Sequence, residues 1–491
     1  MLSLAKAAKD YYLRKLGEMS PREDYYLRGG TATGCWWGSG AAELGLEDSV
    51  SAEGLVRLFD GQHPGTGERL GRQLRKDGVA AWDVTFSADK SVSLLWALGD
   101  ERTRKEVLEA FEEATAQAFR YLETVASSTR GANKTRMVDE NGHPVLSENR
   151  TPKYRVETWP IPTSGYVAAA FTEFTSRADD PQLHTHVVVA NKVKGVDGRW
   201  RTIDGRLLYR HQLAAGYLHE AVLRKELTER LGVRWQPIHN GMADIEGFTR
   251  HQIEAFSRRR EQLEEWLLAQ GLSDTPAARQ VAVVATREAK RDHPLDELEV
   301  EWRRRAVEVG LTPERITQIM GRGRRIPHAD PYPLIEHLAS PQGLTARVST
   351  FDRAEVIKEI AAALPEGGTV EEVEVLADSL LQQRDVVVML PVGDTLNGTD
   401  SERRDQTFDG PAPVSAMRRR DGRAFPGLTG ERRYTTAELL ATEQRVIERA
   451  LNGGDRRWTA PRRLIEASLR RRPELTEGQR EMVRRFATSG A

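Results

Sequence analysis

Among 491 residues there is one cysteine, Cys35. An internal disulfide is therefore impossible, and a cysteine-rich zinc site is excluded with it. A lone thiol suits a reducing compartment, and a cytoplasmic location is expected. Long apolar runs are missing too. No stretch is long enough to span a bilayer, and the N-terminus lacks a signal-peptide core, so membrane insertion is not expected. Charge of one sign is also lacking. The formal net charge is −1, so bulk charge does not mark a nucleic-acid binder. Neither GxxxxGK[ST] nor HExxH occurs, so the sequence supports neither an ATPase nor a zincin.

Hydrophobic residues make up 39% of the chain, enough for substantial cores, and the length suggests two or three domains. The basic residues gather in runs: Arg258–Arg260, Arg303–Arg305, Arg322 with Arg324–Arg325, Arg418–Arg420 and Arg470–Arg472. Such runs are usually solvated helix faces, and Glu254, Glu261, Glu264 and Glu265 surround the first. Phosphate contact is the other reading.

Patterning predicts a helix over 2–16, carrying Tyr11 and Tyr12. Residues 80–97 read as a strand, a tight loop at Ala88–Lys90, then a helix or second strand. An amphipathic helix covers 101–126, and the polar segment 128–160 reads as a hairpin or ordered insertion. Strands at 165–176 and 183–193 are joined by Arg177–Gln182, a connection short enough to favour antiparallel pairing. A helix over 206–231 ends at Gly232, and 249–305 is charged, helix-forming sequence. Beyond 340, a helix starts at Thr350–Asp352, a short strand covers 385–390, and 393–431 reads as loop. Helices at 435–451, 459–471 and 475–488 finish the chain.

The most informative stretch is Pro181-Gln182-Leu183-His184-Thr185-His186, entering Val187-Val188-Val189-Ala190. In a strand, His184 and His186 share a face, roughly 7 Å apart along it. Two imidazoles so placed can share a metal ion, although they can equally be ordinary residues of a solvated face. Glu173 lies on the preceding strand, which an antiparallel pairing brings beside them. Two imidazoles and a carboxylate leave open positions, as a catalytic metal requires, and the carboxylate favours harder ions such as Mg²⁺ or Mn²⁺.

The run from Thr175-Ser176-Arg177 through Pro181-Gln182-Leu183-His184-Thr185-His186 to Asn191 resembles the three-histidine motif of MobF-class conjugative relaxases, the TrwC/TraI family. Three further segments resemble that family in the right order: the tyrosine pairs Tyr11-Tyr12 and Tyr25-Tyr26, then Trp36–Leu46, then Asp83–Ser93. The resemblance covers roughly residues 1–300. It implies an α/β fold with a central antiparallel sheet flanked by helices, of the histidine-hydrophobic-histidine endonuclease type, followed by a mostly helical C-terminal region.

It also implies a chemistry. A relaxase nicks one DNA strand at a transfer origin by transesterification, leaving a 5′-phosphotyrosyl enzyme and a free 3′-OH. By resemblance Tyr11 is the nucleophile and Tyr25 the second tyrosine, with Tyr12 and Tyr26 as packing or DNA-contacting neighbours. Tyrosine has a pKa near 10, so it needs activation. Asp83 is expected beside the metal, orienting an imidazole or accepting the tyrosine proton. Trp82, Val84 and Phe86 claim the opposite face of its strand. Lys90 and Arg177 are expected phosphate contacts. Trp36 and Trp37 either stack on unpaired bases or belong to the core. The implied partners are single-stranded or hairpin DNA at a transfer origin and the coupling protein of a conjugation machinery.

Two departures stand out. The family usually has histidine where this chain has Glu173, which alters metal preference or marks a weakened site. It commonly has proline where this chain has Asp89, which would add negative charge near the phosphate path. Beyond residue 300, Ser349–Arg353 and Arg433–Leu439 resemble the region between relaxase and helicase core. Leu475–Arg480 resembles the glutamine motif ahead of a helicase phosphate loop. The expected division is a nicking domain at 1–300 and a helical region at 301–491 without a helicase motor. Rival readings are an origin-binding module with a decayed site, a rolling-circle replication initiator, and a metal-dependent nuclease that uses water.

Overall fold

Alternation builds the central sheet. In strand β7 (Pro181–Ala190), Leu183, Val187 and Val189 join the main hydrophobic core, while His184 and His186 point to the other side. With β1 (Leu2–Ala7), β2 (Cys35–Trp37), β3 (Ala81–Ser87) and β6 (Ala168–Thr175), β7 forms a five-stranded sheet in the order β1–β3–β7–β6–β2. Every neighbouring pair is antiparallel. The structure, a computed structural model, describes residues 1–7, 34–47, 49–73, 78–139, 143–147, 151–286, 293–323, 331–389, 432–452, 460–472 and 475–489.

One face of the sheet is apolar. Leu2, Trp82, Val84, Phe86, Leu183, Val187 and Val189 bury against two long helices, α4 (Glu101–Ala126) and α5 (Gly205–Leu231). Asp100 starts α4 by accepting from the Thr103 N–H at 2.8 Å. Gly232 ends α5 in the left-handed conformation, φ 61°, as its position in the sequence suggests. The short helices α1 (Ser39–Glu43), α2 (Ala52–Phe59) and α3 (Lys90–Leu98) frame the sheet. On the opposite face a smaller cluster of Ala81, Ala169, Phe171 and Val188 packs with Leu55 and Phe59 of α2.

The helix expected from residue 2 is a strand over Leu2–Ala7, and residues 8–16 lie outside the described residues. Leu, Ala and Lys favour a helix by only tenths of a kcal/mol per residue, and tertiary pairing overrides that. The register Leu2↔Phe86 and Leu4↔Val84 gives this segment ladder partners and puts its leucines on the apolar face. The segment after Ala88–Lys90 resolves as helix α3 rather than a strand.

The polar segment forms a hairpin ribbon of β4 (Ser128–Arg136) and β5 (Tyr154–Pro162). Short strands β8 (Val193–Lys194) and β9 (Trp200–Arg201) follow β7. The helices α6 (Arg250–Glu254), α7 (Arg258–Ala269), α8 (Pro276–Ala285), α9 (Leu295–Glu308), α10 (Pro313–Ile319), α11 (Tyr332–Ala339), α12 (Arg353–Ala363) and α13 (Val370–Leu381) come next. Asp352 and Glu355 form the capping box of α12, at the expected start. After the small sheet of β10 (Val386–Met389) and β11 (Arg433–Thr436) come α14 (Ala437–Asn452), α15 (Arg462–Arg470) and α16 (Glu477–Ser489). The expected loop at 393–431 lies outside the described residues.

A single core takes in Leu2, Phe111, Leu218, Trp302, Ile316, Phe351, Val373 and Val386. These residues lie on both sides of residue 300. No helix among the described residues is long and apolar enough to cross a membrane. Two arginine runs are spent on the fold itself. Arg258 pairs with Asp180 and Arg260 with Glu264, while Arg303, Arg304 and Arg305 pair with Glu299, Glu301 and Asp180.

Candidate metal centre and DNA-facing surface

The antiparallel register sets Glu173 of β6 directly across from His184 of β7, and Thr85 of β3 across from His186. Directly opposed residues share a face, so Asp83, Thr85, Glu173, His184 and His186 all stand on one side of the sheet. One ligand atom each from Glu173, His184 and His186 lies within 4.8 Å of the others. The Glu173 Oε2 to His184 Nε2 distance is 3.6 Å, and the two imidazole centroids are 5.2 Å apart. All three side chains are largely withdrawn from solvent.

Hydrogen bonds fix which nitrogen of each ring faces the cluster. The Nδ1 of His184 lies 2.9 Å from the Gln182 carbonyl oxygen, which can only accept. Nδ1 therefore carries the proton, and the Nε2 lone pair points at Glu173. The Nδ1 of His186 donates to Asp83, 3.0 and 3.1 Å from its two oxygens, and lies 2.9 Å from Thr85 Oγ1. The Thr85 hydroxyl donates to Asp83 Oδ1 at 2.9 Å, holding that carboxylate in place. Two imidazole nitrogens, each backed by such a partner, and a carboxylate oxygen suit a divalent ion, with further coordination positions left open. Sequence reasoning singled out Glu173, His184, His186 and Asp83, which the structure brings together, but missed Thr85 and the Gln182 carbonyl. Thr85 was discoverable, two residues from Asp83 on the same strand face.

The other expected residues fall in different places. Tyr11, Tyr12, Tyr25 and Tyr26 lie outside the described residues. Trp36 sits across from Ala169, on the metal face, half-buried among the cluster of Ala169, Phe171 and Leu55. Trp37 points the opposite way and packs on Phe119 with centroids 5.9 Å apart, as a core residue does. Arg177 is exposed on the turn between β6 and β7. Lys90 is turned inward, its Nζ donating to the Pro181 carbonyl at 2.6 Å. Burial brings its pKa down to about 8, against the pull of Asp180 and with a push from Arg305.

Asp89 does not face a phosphate path. Its Oδ2 accepts from the Ala243 N–H at 3.2 Å, on the interior side of the loop. Burial, then the nearby Glu220 carboxylate, raises the Asp89 carboxyl well above the usual range. Burial also pushes Glu220 up, but the Met1 ammonium and His219 beside it together outweigh that and bring it to about 2.

A second surface went unnoticed in the sequence. Ribbon β4–β5 is exposed on both faces over 132–136 and most of 154–160. Lys134, Arg136, Tyr154 and Val156 share one face; Thr135, Arg155 and Trp159 share the other. Trp159 lies across from Gly131, where a Cβ would fall 2.3 Å from the indole. Its base is tied down: Arg130 Nε reaches Asp204 at 2.7 Å, and Thr129 Oγ1 donates to the Thr202 carbonyl at 2.6 Å. The readable signal was the interleaving of basic and aromatic residues within a polar hairpin.

An antiparallel sheet carrying a His-x-His pair, a facing carboxylate and an aspartate behind one imidazole defines a relaxase-type centre. The family model for the TrwC relaxase matches residues 5–149 and 148–309, more than half of the chain. The chain belongs to the TrwC relaxase family. It is similar to the conjugative relaxase TrwC in a copper-bound complex with oriT DNA, at 30% identity and a TM-score of 0.51, covering 64% of this chain and 99% of that one. It is also similar to TrwC with a 27-mer DNA comprising the recognition hairpin and the cleavage site, at 29% identity and a TM-score of 0.50, over the same shares. The multifunctional conjugation protein TraI of Escherichia coli is 28% identical over 406 residues, 78% of this chain. The chain spans about a fifth of that relative's length, 21%.

Proposed function

We propose that the chain nicks one DNA strand at a transfer origin, with Tyr11 as the attacking group. The convergence of Glu173, His184 and His186, with Asp83 and Thr85 locking the second imidazole, carries this reading. The Tyr11 phenolic oxygen bonds to the scissile phosphorus, and the bond from phosphorus to the 3′ oxygen breaks. The phenol gives up its proton, and the departing 3′ oxygen gains one. Phosphodiester energy is conserved in the phosphotyrosyl bond, and Tyr25 serves a second strand transfer. A divalent ion, Mg²⁺ or Mn²⁺ by the donor set, would supply charge stabilisation at the phosphate oxygens.

The chain's own residues do the rest. Asp83 holds the His186 tautomer that offers Nε2, so its place in the reaction is orientation rather than proton removal. Trp36, on the metal face, is the better placed of the two tryptophans to meet a base. The β4–β5 ribbon suits a duplex stem, because a two-stranded ribbon fits the major groove and its cations meet phosphates. Arg177 is exposed beside the ligand strands for the same purpose. A conjugative coupling protein is the expected protein partner.

The test uses single-stranded oligonucleotides from the parent element's transfer origin, with Mg²⁺ or Mn²⁺, on denaturing gels. Wild type, Tyr11→Phe and Glu173→His are compared. A metal-dependent covalent adduct, absent in Tyr11→Phe, is expected. DNA binding without an adduct, restored by Glu173→His, would instead make this chain an origin-binding module.

A further inference from the structure

Strand pairing near the metal face is interrupted. Glu173 pairs with His184, and the next pair toward the turn is Thr175 with Pro181. Two steps on β6 therefore face three on β7, so β7 carries a bulge at Gln182–Leu183. The Glu173–His184 pair is the last regular rung; beyond it lie the shifted Thr175–Pro181 pair and the Ser176 N–H donating to the Asp180 carbonyl at 2.8 Å. Gln182 lies in the bulge, and its carbonyl oxygen accepts from His184 Nδ1 at 2.9 Å.

Other elements hold this segment. The Leu183 N–H donates to Ser93 Oγ at 3.1 Å, Gln182 Nε2 to the Ala88 carbonyl at 3.1 Å, and Lys90 Nζ to the Pro181 carbonyl. Asp180, fully buried, accepts from the Arg258 N–H at 2.7 Å, from Arg258 Nε at 3.0 Å and from Arg305 Nη1 at 3.0 Å. Trp302 Nε1 donates to the Asp179 carbonyl at 2.8 Å. Asp179 itself sits at φ 57°, in the left-handed region that few side-chain-bearing residues adopt and that Asp tolerates better than most. Arg305 also lies over the Phe256 ring, 4.5 Å from its centroid, and donates to the Ala255 carbonyl. Helices α7 and α9, more than 70 residues further along the chain, thus close on the turn that joins the two ligand strands.

We propose that Asp180, with Arg258, Arg305 and Trp302, is a positioning clamp for the metal centre. It acts through the bulge, which sets the His184 tautomer and aims its Nε2 at Glu173. Lys90 belongs to the same clamp rather than to the DNA surface. The proposal rests on the metal reading above, and its test separates the two.

The variants are Arg305→Met, which keeps the apolar stem over Phe256, and Trp302→Phe, which removes one donor while filling the same space. Mn²⁺ affinity is measured by calorimetry on the full chain, alongside melting temperature and metal-free oligonucleotide binding. Histidine ¹⁵N spectra at pH 8 report the His184 tautomer without any metal. The expected result is an affinity loss of about tenfold or more, as for other groups that orient metal ligands. It should come with a mixed His184 tautomer and unchanged metal-free DNA binding. Unchanged affinity and tautomer with only a lower melting temperature would overturn the clamp. If wild type binds no Mn²⁺, the metal reading fails, and the tautomer comparison alone decides the clamp. If Arg305→Met does not fold, Trp302→Phe carries the same comparison.

Discussion

The metal face and the β4–β5 ribbon both rest on antiparallel pairing, and they put it to opposite uses. On the sheet, both imidazoles and the carboxylate behind them are held by a second group: His186 by Asp83, Asp83 by Thr85, His184 by a carbonyl. On the ribbon, the cationic and aromatic side chains stand out on both faces, and Arg130 and Thr129 anchor the base. Chemistry on a phosphate needs donors fixed before the substrate arrives. Recognition of a long, flexible polyanion tolerates side chains that settle on contact, at an entropic cost repaid by counterion release. The two regions should therefore fail differently when altered.

The largest break is expected at Tyr11, the proposed nucleophile. Tyr11→Phe should lower the rate of adduct formation at least about 1000-fold, with oligonucleotide affinity nearly unchanged, read by gel and by fluorescence anisotropy. Equal losses in both measurements would blur the division between the regions. Next in size, His184→Ala should weaken Mn²⁺ binding at least about 100-fold by calorimetry, and metal-free DNA binding should persist.

The converse experiment alters the ribbon. Combining Lys134→Ala, Arg136→Ala and Arg155→Ala should reduce the slope of log affinity against log salt by about 3, one per lost phosphate contact. Single-turnover adduct formation on saturated complexes should stay at the wild-type rate. A slope that does not move would remove the ribbon from the DNA interface.

The smallest effect concerns stability. The Asp89 carboxyl is raised in the folded chain above its usual 3.8, so the unfolded chain ionises first as pH rises. Its contribution is therefore fully present below about pH 3.8 and is lost as pH climbs from there toward the folded value. Asp89→Asn, whose amide oxygen can still accept from Ala243, should raise the melting temperature at pH 7, and the gain should vanish near pH 3.5. A gain that persists in acid would place its origin elsewhere.

The ligand trio was legible because alternation fixes a face and a short connection fixes antiparallel pairing. Those two rules were enough to bring Glu173 beside His184. The Leu2–Ala7 strand was hidden because its residues favour a helix and its partner lies some 80 positions away. The Asp89 environment was hidden for the same reason: Ala243 and Glu220 reach it only through the fold. The bulge at Gln182–Leu183 leaves no mark in composition, since any residue can contribute an extra step. Trp36 and Trp37 could not be separated before the register with Ala169 and Ala168 was known.

Cys35 makes the chain a single-address protein for a spectroscopic probe. It is exposed on β2, across from Ala170, three positions along β6 from Glu173, or roughly 10 Å of strand. Partial burial and then Glu112 raise its thiol pKa, so attachment will be slow at neutral pH and faster in mild base. Cys35 shares the helix side of the sheet with Ala170, so one dye or nitroxide there, with no background thiol to remove, would report on how the edge strand packs against α4, through the sheet from the metal face.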